Sequence, residues 1–463
     1  MSREKNLIKN TFIISIGTLL PRFASFITLP IITAGLTKAE LGTYDLISTL
    51  VTLFLPVVTL QLRTAAFRFL IDCRGDEAGT KRIISNILGF IIPSSCISLF
   101  ILYFALSDIS AEIRLLIIVY YFFDIFLSTF QQIARGLSFN KVYSASSLIQ
   151  SLTNMILIVV CISQLNRGLQ GALMACTVAA LFGALYIFFR CSMLRYCSIK
   201  SLDRTTLISL LKYSWPMIPN SMSLWALSVS DRLVLSLFIG MEATAIYSVA
   251  NKIPSLLSSV QNTFIYAWQE NASIAANDND VDEYYSKMFS DISRLLAGGL
   301  VMIIGIAPFL FHLLIRGDYE EAYLQMPILF LAVYFSCMSS FLGGIYVAQK
   351  KTFNVGITTV IAAAINLAID FAFVKIIGVY AASISTLVSY VFLTIYRMKN
   401  VKKFQKITYK IRELIVICVV LMGMSLLSGY SIDVKAVINL TIGTIFAVMM
   451  NLDFLKMILR KIR

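Results

Sequence analysis

Long apolar stretches, separated by short segments that carry most of the charge, recur along the whole 463-residue sequence. A helix that crosses a bilayer needs about 20 mostly apolar residues, so each stretch is long enough to span a membrane. Composition agrees, because 58% of the residues are hydrophobic and only 14% are charged. The pattern predicts an all-α polytopic membrane protein of about 14 transmembrane helices and excludes a soluble multidomain enzyme. The predicted spans cover residues 10–35, 41–61, 83–107, 113–134, 142–163, 168–189, 213–239, 243–267, 292–314, 323–348, 354–374, 378–396, 413–430 and 434–454.

Lys and Arg residues collect in alternate connections between these spans, most densely in the segment from Arg397 to Arg412. In membrane proteins this bias marks the cytoplasmic side. We therefore expect a multi-pass protein of the cytoplasmic (inner) membrane with both termini in the cytoplasm. The basic start of the chain is followed by an apolar stretch without a small-residue cleavage site, which predicts a retained first helix rather than a signal peptide. The net charge of +14 then reflects the orientation of the spans in the membrane, and no nucleic-acid partner is expected.

The sequence offers little material for catalysis. Its eight cysteines are scattered without a CxxC pair, and His312 is the only histidine. A zinc site, or a nucleophile with a histidine base, needs more of these residues than the chain supplies. No GxxxxGK[ST] motif occurs, so ATP hydrolysis is not expected either. We predict that the protein is not an enzyme and uses neither a cofactor nor a bound metal centre.

A faint internal repeat relates the first six predicted spans to the next six. Lys9 and Tyr44 lie 203 residues before Lys212 and Tyr247, and further matches follow in the same order. Repeated bundles are common in transporters, whose substrate site lies between the repeats. Because six is an even number, the two bundles have the same orientation and form a parallel pseudo-two-fold repeat. The predicted organisation is an N-terminal six-helix bundle at 1–200, a C-terminal six-helix bundle at 201–400, and a basic connection with an additional transmembrane hairpin at 401–463.

Several short motifs within these spans resemble a known family. They are Tyr213–Pro216 with Pro219, Asp231–Arg232, Ile246–Lys252, Gly35–Tyr44 and Arg68–Phe69. The chain resembles the polysaccharide transporter branch of the multidrug/oligosaccharidyl-lipid/polysaccharide exporter superfamily, best known for O-antigen and capsule repeat-unit flippases. The resemblance covers the first twelve spans. Many O-antigen flippases have twelve spans, whereas fourteen is typical of lipid II flippases and some capsule exporters. The predicted count of fourteen spans therefore leaves the substrate open but does not affect the superfamily.

Basic residues inside predicted spans are the first candidates for a binding site. A Lys or Arg at mid-span costs ~2.5–3.5 kcal/mol on insertion scales, so such residues usually face a protein interior or a wet cavity. We expect Arg22 and Lys252 to form a cationic patch for an anionic headgroup, with Arg68, Arg63 and Arg232 as further candidates. The alternatives are that Arg22 and Lys252 reach the membrane surface, that Arg63 and Arg68 only set orientation, and that Arg232 anchors the outer interface.

Acidic and polar residues inside the spans complete the candidate site. Asp231, Asp124 and Asp370 are candidates for coupling to H⁺ or Na⁺, although each is also a plausible structural partner for a nearby base. Polar and aromatic side chains could contact a glycan, but tryptophans also anchor at interfaces and amides also join membrane helices. The glycan-contact candidates are Trp225, Trp268, Gln269, Asn154 and Asn366.

These features together predict a flippase for a polyprenyl-pyrophosphate-linked oligosaccharide, an O-antigen or capsule repeat unit, that works by alternating access. Its expected partners are the lipid-linked oligosaccharide, membrane lipids, H⁺ or Na⁺, and polysaccharide polymerase and chain-length proteins. A lipid II flippase is the nearest alternative. A cation-coupled drug exporter would be expected to have an acidic cavity instead. An integral-membrane glycosyltransferase or polymerase, or a passive scaffold, is the alternative from a different class.

Overall fold

The computed structural model describes residues 20, 21, 23–276 and 278–452 of the chain. The described residues form helices joined by short connections, and no strand occurs among them. The chain divides into two compact units, with the boundary between Trp225 and Ala226. An all-helical polytopic fold was predicted from the apolar pattern, and the structure confirms it.

The N-terminal unit is built around three long helices, α5, α6 and α7, which pack against one another, with α3 lying against α5. Its other helices complete the bundle, and the last of them continues across the boundary into the C-terminal unit. The helices are α1 (Phe23–Gly35), α2 (Lys38–Val58), α3 (Leu62–Asp72), α4 (Glu77–Ala105), α5 (Ala111–Gly136), α6 (Asn140–Ile158, extended by a π-helical turn, Val159–Gln164), α7 (Gly168–Arg190), α8 (Met193–Tyr196), α9 (Arg204–Ser214) and α10 (Ile218–Phe238).

The limits of α2 follow from its local sequence. At its start Thr37 and Glu40 form a capping box, in which each side chain binds the other residue's backbone N–H. At its end Leu60 and Gln61 take left-handed conformations, with φ of 42° and 56°, which stop the helix. Gln61 is buried, and its amide donates to Ser221 Oγ at 2.6 Å. This hydrogen bond holds the interruption between α2 and α3 in place.

The C-terminal unit is built around α14, which packs against α11, α12 and α16, while α15 lies against α16. A hairpin follows the basic connection, and its second helix packs against α13. The helices are α11 (Met241–Lys252), α12 (Ser255–Ala275), α13 (Val281–Leu314), α14 (Glu320–Ala348), α15 (Thr352–Ile377), α16 (Tyr380–Val401), α17 (Ile411–Leu427) and α18 (Val434–Met450).

The structure interrupts the eighth predicted span, 243–267. Helix α11 ends at Lys252 and α12 begins at Ser255, with Pro254 between them. Proline lacks a backbone N–H and its ring clashes with the preceding turn, so a helix is kinked or broken there. As a result Lys252 stands at the carboxyl end of a helix, where the helix dipole favours a positive charge.

A helix overlaps each predicted span, although the count of membrane crossings stays a prediction. In the described part of the chain, nine helices are long and apolar enough to cross a bilayer, and two further apolar helices, α1 and α18, are shorter. These helices make the chain a multi-span membrane protein. The division at residues 200 and 400 likewise stays a prediction.

One basic residue does not lie where the sequence placed it. Arg397, expected at the start of the basic connection, lies inside α16 and is 4% exposed. Its guanidinium donates to Ser339 O at 2.8 Å on α14, and to Thr358 and Thr359 Oγ1 at 3.1 Å each on α15. The assignment of Arg397 to a loop was therefore wrong. The five N–H groups of a guanidinium let one side chain join three helices.

Candidate functional site: a cationic cavity beside an acidic pair

The C-terminal unit contains a polar cavity of about 420 Å³, within the ~300–1,000 Å³ typical of ligand pockets. Two bases, Arg232 and Lys252, line it, and none of its described lining residues is acidic. Polar groups have no water to bind in the bilayer core, so a hydroxyl-rich surface inside a membrane-spanning unit suits a wet or occupied cavity. The hydroxyl and amide side chains of the lining are Ser228, Ser248, Asn251, Ser255, Ser258, Ser336, Ser340, Thr386 and Tyr390.

Helical spacing brings these side chains to one surface. Residues three or four apart lie on the same face of a helix. Ser248, Asn251 and Lys252 therefore share the face of α11 that borders the cavity, and Ser336 and Ser340 do the same on α14. The cavity is thus assembled by five helices, α10, α11, α12, α14 and α16.

Two buried carboxyl groups lie beside this cavity. Asp231 on α10 and Asp370 on α15 are each 1% exposed, and they lie close enough for electrostatic interaction. The Tyr247 hydroxyl donates to Asp231 Oδ2 at 2.5 Å, and the Thr386 hydroxyl donates to the same oxygen at 2.9 Å. Four helices therefore converge on one carboxylate.

Neutral polar groups extend this cluster. Asn366 is fully buried on α15, one turn before Asp370. Its amide donates to Ser385 Oγ at 3.1 Å. Its Oδ1 accepts a hydrogen bond from Ser230 at 3.2 Å. The predicted glycan contact of Asn366 is not tested by this placement, but in this conformation the amide belongs to the acidic cluster and does not line the cavity.

Two buried carboxylates side by side repel each other and lack solvent to screen them. A proton or a cation between them removes the repulsion. The acceptor atoms of the cluster are oxygens, which suit a hard cation. In the described part of the chain, no group of three or more His, Cys, Asp and Glu residues could hold a metal ion.

The acidic pair and the cavity share one residue. Thr386 lines the cavity and donates to Asp231. Asp231 and Arg232 are adjacent on α10, and neighbouring helical residues diverge by about 100°, so the acid enters the cluster while the base lines the cavity. Placement of a cation between the carboxyl groups would therefore change the charge directly behind one wall of the cavity.

The N-terminal unit holds a separate cluster. Asp124 on α5 lies close enough to Arg63 for electrostatic interaction. The Tyr44 hydroxyl is 3.2 Å from Cys176 Sγ, so α2 and α7 meet at this point. Arg68 instead is exposed and forms an ion pair with Asp72 at 2.6 Å. Arg22 lies outside the described residues.

The predicted glycan-contact residues are dispersed. Trp268 is 1% exposed and stacks on Phe341 with 4.2 Å between ring centroids, and its indole donates to the Phe341 carbonyl. Trp225 donates to the carbonyl of Thr49 at 3.1 Å. Gln269 and Asn154 are half-buried on α12 and α6. Of the predicted binding residues, the structure brings together Arg232 and Lys252 in one cavity, and Asp231 and Asp370 in one cluster.

Sequence reasoning missed Tyr247 and Thr386 as site residues. Both are neutral, and nothing in their local sequence distinguishes them from structural residues. Tyr247 did mark the internal repeat through its match with Tyr44. In the structure both tyrosines reach across to the last long helix of their own repeat, Tyr44 to α7 and Tyr247 to α16.

Solved transporters share this fold. A lipid II flippase, MurJ, in an inward closed conformation has a TM-score of 0.73 at 15% identity, covering 97% of this chain and 100% of that one. An inward-facing multidrug resistance MATE transporter has a TM-score of 0.69 at 15% identity, covering 85% of this chain and 98% of that one. A transporter from Pyrococcus furiosus has a TM-score of 0.59 at 15% identity, over 85% and 95%. The latter two belong to the MOP superfamily, so the fold is that of a MOP-type transporter.

The family follows from the sequence itself. The model of a family described as polysaccharide biosynthesis protein matches residues 7–268, which is more than half of the chain. The chain belongs to this family, and the resemblance seen in its motifs is confirmed. No curated protein sequence matches the chain.

Tyr247→Phe should lower the free energy of unfolding by about 1.5–3 kcal/mol, because it removes a hydrogen bond to a buried charged group. Tyr44→Phe is the matched control, since its hydroxyl is hydrogen-bonded to the sulfur of Cys176 at the repeat-related position, and it should cost less than about 1 kcal/mol. Denaturant unfolding of the purified protein in detergent measures both. Equal losses for the two variants would contradict the assignment of Tyr247 to an ionic cluster.

Proposed function

We propose that the protein is a flippase that carries a polyprenyl-pyrophosphate-linked oligosaccharide, such as an O-antigen or capsule repeat unit, across the cytoplasmic membrane. The observation that supports this most is the cavity lined by Arg232, Lys252 and hydroxyl groups inside a membrane-spanning unit. Membership of a polysaccharide biosynthesis family supports the choice of a glycan as cargo.

The chemistry of the cavity suits this cargo. A pyrophosphate is an anion whose oxygens accept charge-assisted hydrogen bonds from Arg and Lys. Such interactions are stronger where water is scarce, because the local dielectric constant is low. Serine and threonine hydroxyls can both donate to phosphate oxygens and accept from sugar hydroxyls. The lipid tail needs no polar site, since it can remain in the bilayer.

The acidic pair is the proposed coupling site. Asp231 and Asp370 would bind H⁺ or Na⁺, and Thr386 would relay the change of charge to the cavity wall. Asp124 in the N-terminal unit is a second candidate. The matched repeats would then alternate between an inward-open and an outward-open arrangement, as repeat-built transporters do. We further propose that both termini face the cytoplasm, and that polymerase and chain-length proteins receive the product.

Lipid II is the second candidate cargo, because its pyrophosphate would fit the same cationic cavity. A drug exporter for cationic compounds is disfavoured, since the described lining of the cavity has two bases and no acid. A glycosyltransferase or polymerase would usually need a large outer loop or a carboxylate-rich motif. The predicted outer connection between α13 and α14 is only residues 315–319.

Lys252→Gln should lower the transport rate of a pyrophosphate-linked oligosaccharide about tenfold or more. A charge-assisted hydrogen bond contributes about 1.5–3 kcal/mol, and 1.4 kcal/mol corresponds to a factor of ten. Lys252→Arg, which keeps the charge, should retain most of the rate. The measurement is translocation in proteoliposomes, with O-antigen-type substrate and lipid II assayed separately.

Lys350→Gln, which removes an exposed base after α14, is the matched control and should transport at the wild-type rate. Wild-type transport by Lys252→Gln, at an equal amount of protein in the membrane, would exclude the anion site. Transport of lipid II alone would move the assignment to the second candidate.

Sodium should raise the unfolding temperature of the wild-type protein in detergent if the acidic pair binds this cation. A ligand bound only by the folded state stabilises it by about 2.7 kcal/mol at a concentration of 100 Kd. Asp370→Asn and Asp231→Asn should abolish the effect, because each removes one carboxylate ligand. Choline chloride at the same ionic strength gives the salt control.

Asp278→Asn, in the connection before α13, removes an exposed acid and should leave the sodium effect intact. A sodium response of equal size in Asp370→Asn and wild type would show that sodium binds elsewhere. Absence of a sodium response in wild type would leave H⁺ as the ion for this pair, to be tested by a pH gradient across the proteoliposome.

A further inference from the structure

A second cavity of about 320 Å³ lies between α14, α16 and α17 of the C-terminal unit. One stripe of α17 forms a wall of it, because Ile411, Leu414, Ile415, Cys418 and Val419 recur at the three- and four-residue spacing of a helix face. We call this cavity the α17 crevice. Its volume is at the lower end of the range for ligand pockets.

The α17 crevice is apolar, although two polar residues line it. The Tyr334 hydroxyl is bonded to Ser293 at 2.6 Å, and the Thr394 hydroxyl donates to the carbonyl of Phe335 at 2.9 Å. Both hydroxyl groups therefore already have hydrogen-bond partners within the protein. Val419 is 66% exposed, so the crevice opens onto the outer surface of the helix bundle. A hydrocarbon chain fits such a surface, whereas a polar ligand would lose hydrogen bonds there.

Exposed bases occur where α16 ends and α17 begins, next in sequence to residues that line the crevice. They are Lys399, beside Met398, and Lys410 and Arg412, on either side of Ile411. Two acids lie near these bases: Glu413 forms an ion pair with Arg294, and Asp282 accepts hydrogen bonds from the connection after α16. The bases outnumber these acids, so the net charge of the named groups is positive.

The connection between α16 and α17, residues 402–410, carries Lys410 and is held in place. Two of its backbone N–H groups donate to Asp282 Oδ1 at 3.0 Å and to Ser286 Oγ at 2.9 Å. The Tyr409 ring packs against Phe289, a crevice residue, with 4.7 Å between centroids. Lys399 and Arg412 lie on α16 and α17 themselves, so each of the three bases has a defined position.

We propose that the α17 crevice binds one acyl chain of an anionic bilayer phospholipid, whose phosphate lies against Lys399, Lys410 and Arg412. An apolar groove next to exposed bases matches both parts of such a lipid, because acyl chains gain from burial and anionic headgroups are attracted to clustered Lys and Arg. This inference is independent of the cargo proposed above, since it concerns another cavity and a lipid of the membrane itself.

Native mass spectrometry of the delipidated protein, with phosphatidylglycerol or phosphatidylcholine of the same chains added back, tests the crevice. Wild type should bind phosphatidylglycerol at least several-fold better than phosphatidylcholine. Val419→Trp should fill the crevice and reduce the binding of both lipids. Val416→Trp, on the same helix but outside the crevice lining, is the matched control and should bind both lipids as wild type does.

The headgroup contact is tested by the triple variant K399Q/K410Q/R412Q. It should lose the preference for phosphatidylglycerol while its binding of phosphatidylcholine stays unchanged. The preference of wild type should also weaken at high salt, because these bases are exposed and their interactions are screened.

K141Q/K200Q/R204Q, which removes three exposed bases of the N-terminal unit, should keep the preference. Equal binding of the two lipids by wild type, or an unchanged preference in K399Q/K410Q/R412Q, would overturn the headgroup assignment. Unchanged binding in Val419→Trp would overturn the crevice as the site. If Val419→Trp lost the binding of added polyprenyl phosphate but kept that of both phospholipids, the occupant would be an isoprenoid chain. This result would likewise overturn the proposal.

Discussion

Charged groups inside a bilayer are costly unless polar partners surround them, and this cost governs the C-terminal unit. Asp231 receives two hydroxyl hydrogen bonds, and Arg397 donates to carbonyl and hydroxyl groups of two other helices. Lys252 stands at a helix end in a wall of hydroxyl side chains. Hydroxyl groups are unfavourable against lipid but can be solvated when they line a cavity. The polar cargo proposed above would occupy this cavity.

The two units use the same repeat for different chemistry. At repeat-related positions Tyr44 meets the thiol of Cys176, whereas Tyr247 donates to the carboxylate of Asp231. The C-terminal unit therefore places a buried acidic cluster next to a cavity lined by two bases. The acid of the N-terminal unit, Asp124, lies instead near a base. The ion coupling proposed above would then take place within the C-terminal unit.

The apolar pattern was enough to predict the helices, because membrane spans are marked by length and composition along the chain. It also located Arg232, Lys252, Asp231 and Asp370, since ionisable residues are rare in such segments. It did not reveal that the two acids form a pair, because 139 residues separate them and only the packing of α10 against its neighbours joins them. The neutral partners of these charges carry no signal in a single sequence. The burial of Arg397 was missed for a related reason, since a base at the end of a span resembles a loop residue until the helix is seen to continue.

Solvent access to the cavity is the most direct test of a polar passage for an anion. In a chain whose native cysteines are replaced, Ser336→Cys places a thiol in the cavity wall, and Val360→Cys places one on an exposed apolar position of α15. A water-soluble maleimide should label the first and not the second, and inorganic pyrophosphate should slow the labelling of the first. Equal resistance of both positions, or labelling of Ser336→Cys that pyrophosphate does not change, would contradict the account.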